Sequence, residues 1–210
     1  MKVFYLLLLG IVIAGCNSDK KEMPNNNVEN SEIVIEKTID TTGAKQFWDR
    51  LTKLCGKSFE GQLASEPYTD DFTGKKLVMH VLSCSENEIL IPFNVGDDRS
   101  RTWILTYDNA RITLKHDHRH EDGSSDETTM YGGTSNNDGS PEMITFPADQ
   151  QTVEIIPEAF ANIWWITVND SIYSYNLRRV SGNRVFNVAF DLTKEIETPL
   201  PSWGWEDFRK

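Results

Sequence analysis

Three of the chain's four histidines, His116, His118 and His120, fall within five residues, and two arginines, Arg99 and Arg101, precede them at the same alternate spacing. On a β-strand that spacing sends every side chain of a set to one face. Guanidinium forks on such a face hold a carboxylate or phosphate, with imidazoles adding donors. The same His-x-His-x-His run could instead present three imidazoles to a metal ion, as a metal-dependent hydrolase would use them. Facing arginines oppose a divalent cation there unless Asp97, Asp98, Glu121 or Asp122 turn inward to compensate. A third possibility is a salt-bridged strand end in which those four acids simply neutralise the bases. An acid-base pair of His120 with Asp97 would also satisfy the strand register.

Other chemistries lack their motifs. The sequence has no Gly-x-Ser-x-Gly elbow, no His-Glu-x-x-His pair, no phosphate-cradling glycine loop and no dinucleotide fingerprint, and no cofactor is expected. With 21 Lys+Arg against 32 Asp+Glu the net charge is -11, which disfavours nucleic acid. His80, on a segment apolar on both faces, reads as a core residue.

The elements that must position the cluster are strands. A turn at Asp108-Asn109 sets Leu105 against Ile112, Trp103 against Leu114, Arg101 against His116 and Arg99 against His118, so an apolar face grades into the basic cluster. In the last third, turns at Asn169-Asp170 and Gly182-Asn183 join 162–168, 172–180 and 184–192. Both turns yield one apolar face: Trp164, Ile166, Tyr173, Tyr175, Leu177, Phe186, Val188 and Phe190. The fold class is all-β, an antiparallel up-and-down meander closing into a calycin or lipocalin-like barrel, with a two-sheet sandwich as the alternative. Residues 44–54 carry Phe47, Leu51 and Leu54 at helical spacing and predict a short N-terminal helix docked on the barrel. Trp103, Trp164, Tyr173 and Tyr175 would line the apolar part of a ligand pocket below Arg99, Arg101, His116, His118 and His120.

The N-terminus sets the expected compartment. Lys2 precedes an apolar run ending in Ile13-Ala14-Gly15-Cys16, which resembles a bacterial lipobox. Residues 1–15 read as a signal peptide and Cys16 as a lipidated N-terminus; loss of Lys2 takes the charge from -11 to -12. Residues 16–40 form a polar tether, 41–198 the domain, and 199–210 a tail too apolar to be free. Asn17, where an Asp would favour the inner membrane, points to the outer membrane of a Gram-negative bacterium. Cys55 and Cys84 remain as an even pair, and a hairpin centred between Thr69 and Asp70 would bring them together as a disulfide.

Phe59–Gly61 (FEG), Ile91–Trp103 (IPFNVGDDRSRTW), Lys115–Gly123 (KHDHRHEDG), Tyr131–Gly133 (YGG) and Phe146–Asp149 (FPAD) resemble segments of a family of bacterial secreted proteins and lipoproteins with no assigned activity. The resemblance covers roughly residues 45–192 and implies a shared domain whose polar cluster is the candidate site. The expected function is a lipid-anchored cell-envelope protein that binds a small anionic or amphipathic ligand. The alternatives are a metal-dependent hydrolase using His116, His118 and His120, and an interaction lipoprotein without a pocket.

Overall fold

The computed structural model describes residues 42–64 and 71–209. The signal peptide, lipidated Cys16, tether and 69–70 turn expected from the sequence lie outside these residues. A helix, α1 (Gly43–Thr52), opens the described chain, capped by Thr42, whose side chain accepts the Lys45 N–H. Its Ala44, Phe47, Trp48 and Leu51 share one face, and all four are buried. Strands β1 (Ser58–Leu63), β2 (Leu77–His80), β3 (Ser83–Cys84), β4 (Glu88–Val95), β5 (Asp98–Asp108), β6 (Arg111–His118) and β7 (Tyr131–Thr134) follow. After β8 (Met143–Pro147) come helix α2 (Gln150–Ile155), a 3-10 turn (Pro157–Ala161), β9 (Asn162–Val168), β10 (Ile172–Arg179), β11 (Val185–Ile196) and a last 3-10 turn (Glu206–Arg209).

All ladders are antiparallel and run in the order β7-β6-β5-β4-β2-β1-β11-β10-β9-β8, with β3 added beside β4. Only the β1–β11 ladder joins strands distant in sequence, so the sheet is a meander whose first and last strands meet. The two ends of the path, β7 and β8, approach without a ladder. There Asp149 N–H donates to Gly132 O at 3.0 Å, while Thr152 Oγ1 accepts the Gly132 N–H at 2.6 Å and lies 2.7 Å from its carbonyl. Gly133 permits the contact, since a Cβ there would stand 1.8 Å from Pro147 O. The result is a ten-stranded, nearly closed barrel with a short helix, one sheet rather than two.

The helix seals one end. Arg50 pairs with Asp170 in the β9–β10 turn, Trp48 packs against Tyr107 beside the β5–β6 turn at 5.5 Å between centroids, and Gly43 abuts Gly139 and Ser140 before β8. Phe47 and Leu51 join Ile112, Leu114, Ile144, Val188 and Phe190 in one continuous core. Cys55, just after α1, is disulfide-bonded to Cys84 with Cα atoms 6.0 Å apart. The bridge forms, but not by the route the spacing suggests. β1 pairs β2 with Ser58 opposite His80, one residue off the predicted register, and Cys84 lies on β3. His80 is a core residue, its Nδ1 2.8 Å from Ser58 Oγ.

The other three predicted hairpin registers are each displaced by two residues, and the apolar inward faces survive. Tyr173 faces Val168 and Phe190, Tyr175 faces Ile166 and Val188, and Leu177 faces Trp164 and Phe186. Shifting a turn centre by one residue changes pairing partners by two, which leaves the inward set intact. The β5–β6 turn is Asn109-Ala110, both at positive φ (48° and 59°), a conformation that sequence statistics deny to alanine. In the tail, Trp203 N–H donates to Arg99 O, and Trp205 Nε1 donates to Asp117 Oδ2 at 2.9 Å. Asp117 points outward from β6 and is buried beneath this cover.

Candidate functional site

At the end opposite α1 a cavity of about 140 Å³ opens between the ends of β5, β6, β9, β10 and β11. Trp103, His116, Trp164 and Tyr175, all buried, form its depth. Each belongs to the inward parity of its strand, and each carries a flat ring. Trp103 stacks on Tyr175 with centroids 4.4 Å apart and planes at 14°, and on its other side Phe93 stacks at 4.8 Å and 15°. His116 stacks on Tyr131 at 4.5 Å and 11°, and meets Tyr175 edge-on at 77°. Two aromatic walls therefore stand nearly at right angles.

His116 has a determinable tautomer. Its Nδ1 lies 2.9 Å from the Tyr131 carbonyl, which only accepts, so Nδ1 carries the proton. Its Nε2, 2.7 Å from the Tyr175 hydroxyl, then accepts from that hydroxyl. Burial drives the imidazole pKa down to about 3, with neighbouring His118 and Lys115 lowering it further against the Tyr131 hydrogen bond. His118, bonded through Nε2 to Tyr131 Oη at 3.0 Å, is lowered to about 4 by burial and by Arg101. Burial lifts Tyr131 to about 12 and Tyr175 well above its usual range. Near neutral pH these four side chains form an uncharged, hydrogen-bonded wall.

Charge enters at the rim. Arg101 faces His118 across the ladder, pairs with Asp98 and lies over the Phe72 ring, 5.6 Å from its centroid. Burial raises the Asp98 carboxyl, but hydrogen bonds from Ser100 and Arg101 outweigh it and hold the pKa below its ordinary value. Arg179 donates through Nε to Asn162 Oδ1 at 2.9 Å. Arg184, exposed at the start of β11, forms no salt bridge among the described residues. Among the described residues Arg179 and Arg184 thus leave two guanidinium charges without an acidic partner at the mouth, on a chain whose net charge is -11.

Of the predicted site residues, Arg101, Trp103, His116, His118, Trp164 and Tyr175 line this cavity. Arg99, His120 and Tyr173 do not. The β4–β5 ladder slips by one residue between Phe93 and Val95, and a one-residue slip reverses the face. Arg99 consequently points outward, donates to Pro201 O at 2.6 Å and lies 6.0 Å from the Trp203 ring centroid. Asp97 sits in the Gly96-Asp97 turn, since Val95 pairs with Asp98. His120 lies beyond β6, where Gly123 N–H bonds His120 O and the chain reverses, leaving the imidazole exposed. The three imidazoles do not converge, and among the described residues no three His, Cys, Asp or Glu side chains are placed to hold a metal ion. Tyr173 lies deeper, fully buried, its hydroxyl without a hydrogen-bond partner among the described residues.

Tyr131, Arg179 and Arg184 are the residues that strand reading missed. Arg179 continues the inward series Tyr173, Tyr175, Leu177, and Arg184 precedes Phe186, Val188 and Phe190 at the same parity, so the alternation itself was the available signal. Tyr131 sits on a short glycine-rich strand with no alternation to read.

The fold and site together define an up-and-down β-barrel with one blocked end and one aromatic, arginine-rimmed mouth. Comparison with family models, curated proteins and solved structures finds no match for this chain.

Proposed function

We propose that the protein binds a small anionic or amphipathic ligand in this cavity, and that it does so as a lipid-anchored protein of the cell envelope, held by Cys16 at the outer membrane. Kinship with the bacterial secreted proteins and lipoproteins whose motifs it shares belongs to the same proposal. The observation that carries the binding reading is the meeting of two uncompensated guanidiniums with a cavity walled by neutral aromatic groups. An apolar body gains by leaving water against Trp103, Trp164 and Tyr175, while its anionic group takes the planar donor forks at the rim. A low-dielectric cleft also focuses the field of those arginines on the entrance.

Native mass spectrometry of the full chain purified in detergent, followed by release and identification of bound small molecules, tests this directly. One equivalent of an acidic compound, absent from an Arg179→Ala/Arg184→Ala variant that unfolds at the same temperature, is the expected result. A ligand retained equally by that variant would refute the role of the rim.

A further inference from the structure

The cavity is too small and too flat-walled for most amphiphiles, and this narrows the ligand. Resting on the binding function above, we propose that the occupant is a small aromatic acid: one ring seated among Tyr175, Trp164 and His116, its carboxylate held at the mouth by Arg184 with Arg179.

Size comes first. About 140 Å³ matches an apolar cavity of roughly 150 Å³ that holds one benzene, and falls below the roughly 300–1,000 Å³ of sites for larger ligands. The cavity has no deeper extension to accept a chain. Below Trp103 the barrel is filled by Tyr173, Phe190, Phe47 and Leu51, none with measurable exposure, and α1 shuts the far end. A long acyl chain has nowhere to go.

Shape is the second constraint. The Phe93–Trp103–Tyr175 stack and the His116–Tyr131 stack present a ring face and a ring edge at 77° to each other. A planar guest meets one wall in offset stacking and the other edge-to-face, the two arrangements aromatic quadrupoles favour. A saturated ring of equal size gains the area but not the quadrupole match.

Charge is the third. The polar atoms of His116 and Tyr175 in the cavity wall are already matched, His116 using both nitrogens and Tyr175 donating its proton to His116, while the unpaired Tyr173 hydroxyl lies below the cavity and outside its lining. A polar guest group placed deep would find no free partner, so the anion belongs at the rim. There Arg101 is already paired with Asp98, whereas Arg184 has no salt-bridge partner among the described residues. Among the described residues Arg179 gives its Nε to Asn162 and lacks an acid, and the Arg184 guanidinium has neither a hydrogen-bonded nor an acidic partner, so Arg184 leads in closing a two-pronged bond on a carboxylate.

Titration of the full chain with benzoate, cyclohexanecarboxylate, benzyl alcohol and tetradecanoate, followed by tryptophan fluorescence and calorimetry, separates the possibilities. Benzoate should bind with one-to-one stoichiometry, severalfold more tightly than cyclohexanecarboxylate and at least tenfold more tightly than benzyl alcohol. Arg184→Gln, an exposed change that leaves the barrel folded, should weaken benzoate by tenfold or more and leave benzyl alcohol unchanged. Tighter binding of tetradecanoate than benzoate would overturn the aromatic-acid assignment while leaving an anion-binding barrel standing. Saturation by none of the three acids would overturn both.

Discussion

His116 makes the stability of the barrel depend on pH in a way that can be isolated. In the fold its pKa lies at about 3, against an ordinary 6.5, because the ring is buried and both nitrogens are committed as a neutral tautomer. The unfolded chain protonates this histidine near 6.5 and the folded one does not. Folding stability from this group is therefore fully present above the unfolded value and is lost as pH falls toward 3. The loss approaches about 1.4 kcal/mol per pH unit within that window, so about 3 kcal/mol is gone by a pH two units below the ordinary value. Carboxylates titrate over the same range, and a His116→Gln comparison removes their contribution. Urea unfolding at pH 7.5 and 4.5, followed through the tryptophans, should show wild type losing about 3 kcal/mol more than the variant between the two conditions. Equal losses within about 1 kcal/mol would refute the reasoning, because they would mean that the folded site takes up the proton as readily as the open chain.

Closure of the barrel depends on the bare backbone of β7. Gly133→Ala places a methyl 1.8 Å from Pro147 O, so the seam must open, and a loss of about 3 kcal/mol or more should appear as a lower thermal midpoint. Unchanged stability would show that the seam does not hold the barrel. The Cys55–Cys84 bridge spans 29 residues, a loop whose closure entropy is worth about 3–4 kcal/mol. A Cys55→Ser/Cys84→Ser variant should lose roughly that amount in urea unfolding, and reducing agent should destabilise wild type but not the variant.

Faces were legible in the sequence and partners were not. Period-two alternation identified Trp103, Trp164, Tyr175, His116 and His118 as one lining, and the three hairpins that carry them keep that face because their register errors are even. The odd displacement, the slip between Phe93 and Val95, moved Arg99 to the outer surface. A slip of that kind is fixed by tertiary fit: Ser100 N–H bonds Asp98 Oδ1 and the tail covers Arg99, neither of which alternation encodes. His120 was lost to a turn that Glu121-Asp122-Gly123 does announce, since Gly123 adopts a positive φ of 83°. The clasp of Thr152 on Gly132 joins elements with no periodic relation, and nothing local in either segment points to it. The YGG and FEG segments acquire a physical reason only in three dimensions. Gly133 admits Pro147 at the seam, and Gly61 leaves room for the Phe190 ring, 2.6 Å from where a Cβ would stand.

Under the binding function proposed above, the helix across the far end would also govern how one guest replaces another. With Phe47, Trp48 and Leu51 seated in the core and Cys55 tied to Cys84, a newcomer would find no back door among the described residues through which to displace an occupant. Exchange at the single mouth is a queue. At saturating competitor the replacement rate equals the departure rate of the resident molecule and does not rise with further competitor, and residence time is set by the few side chains at the rim rather than by the depth of the barrel.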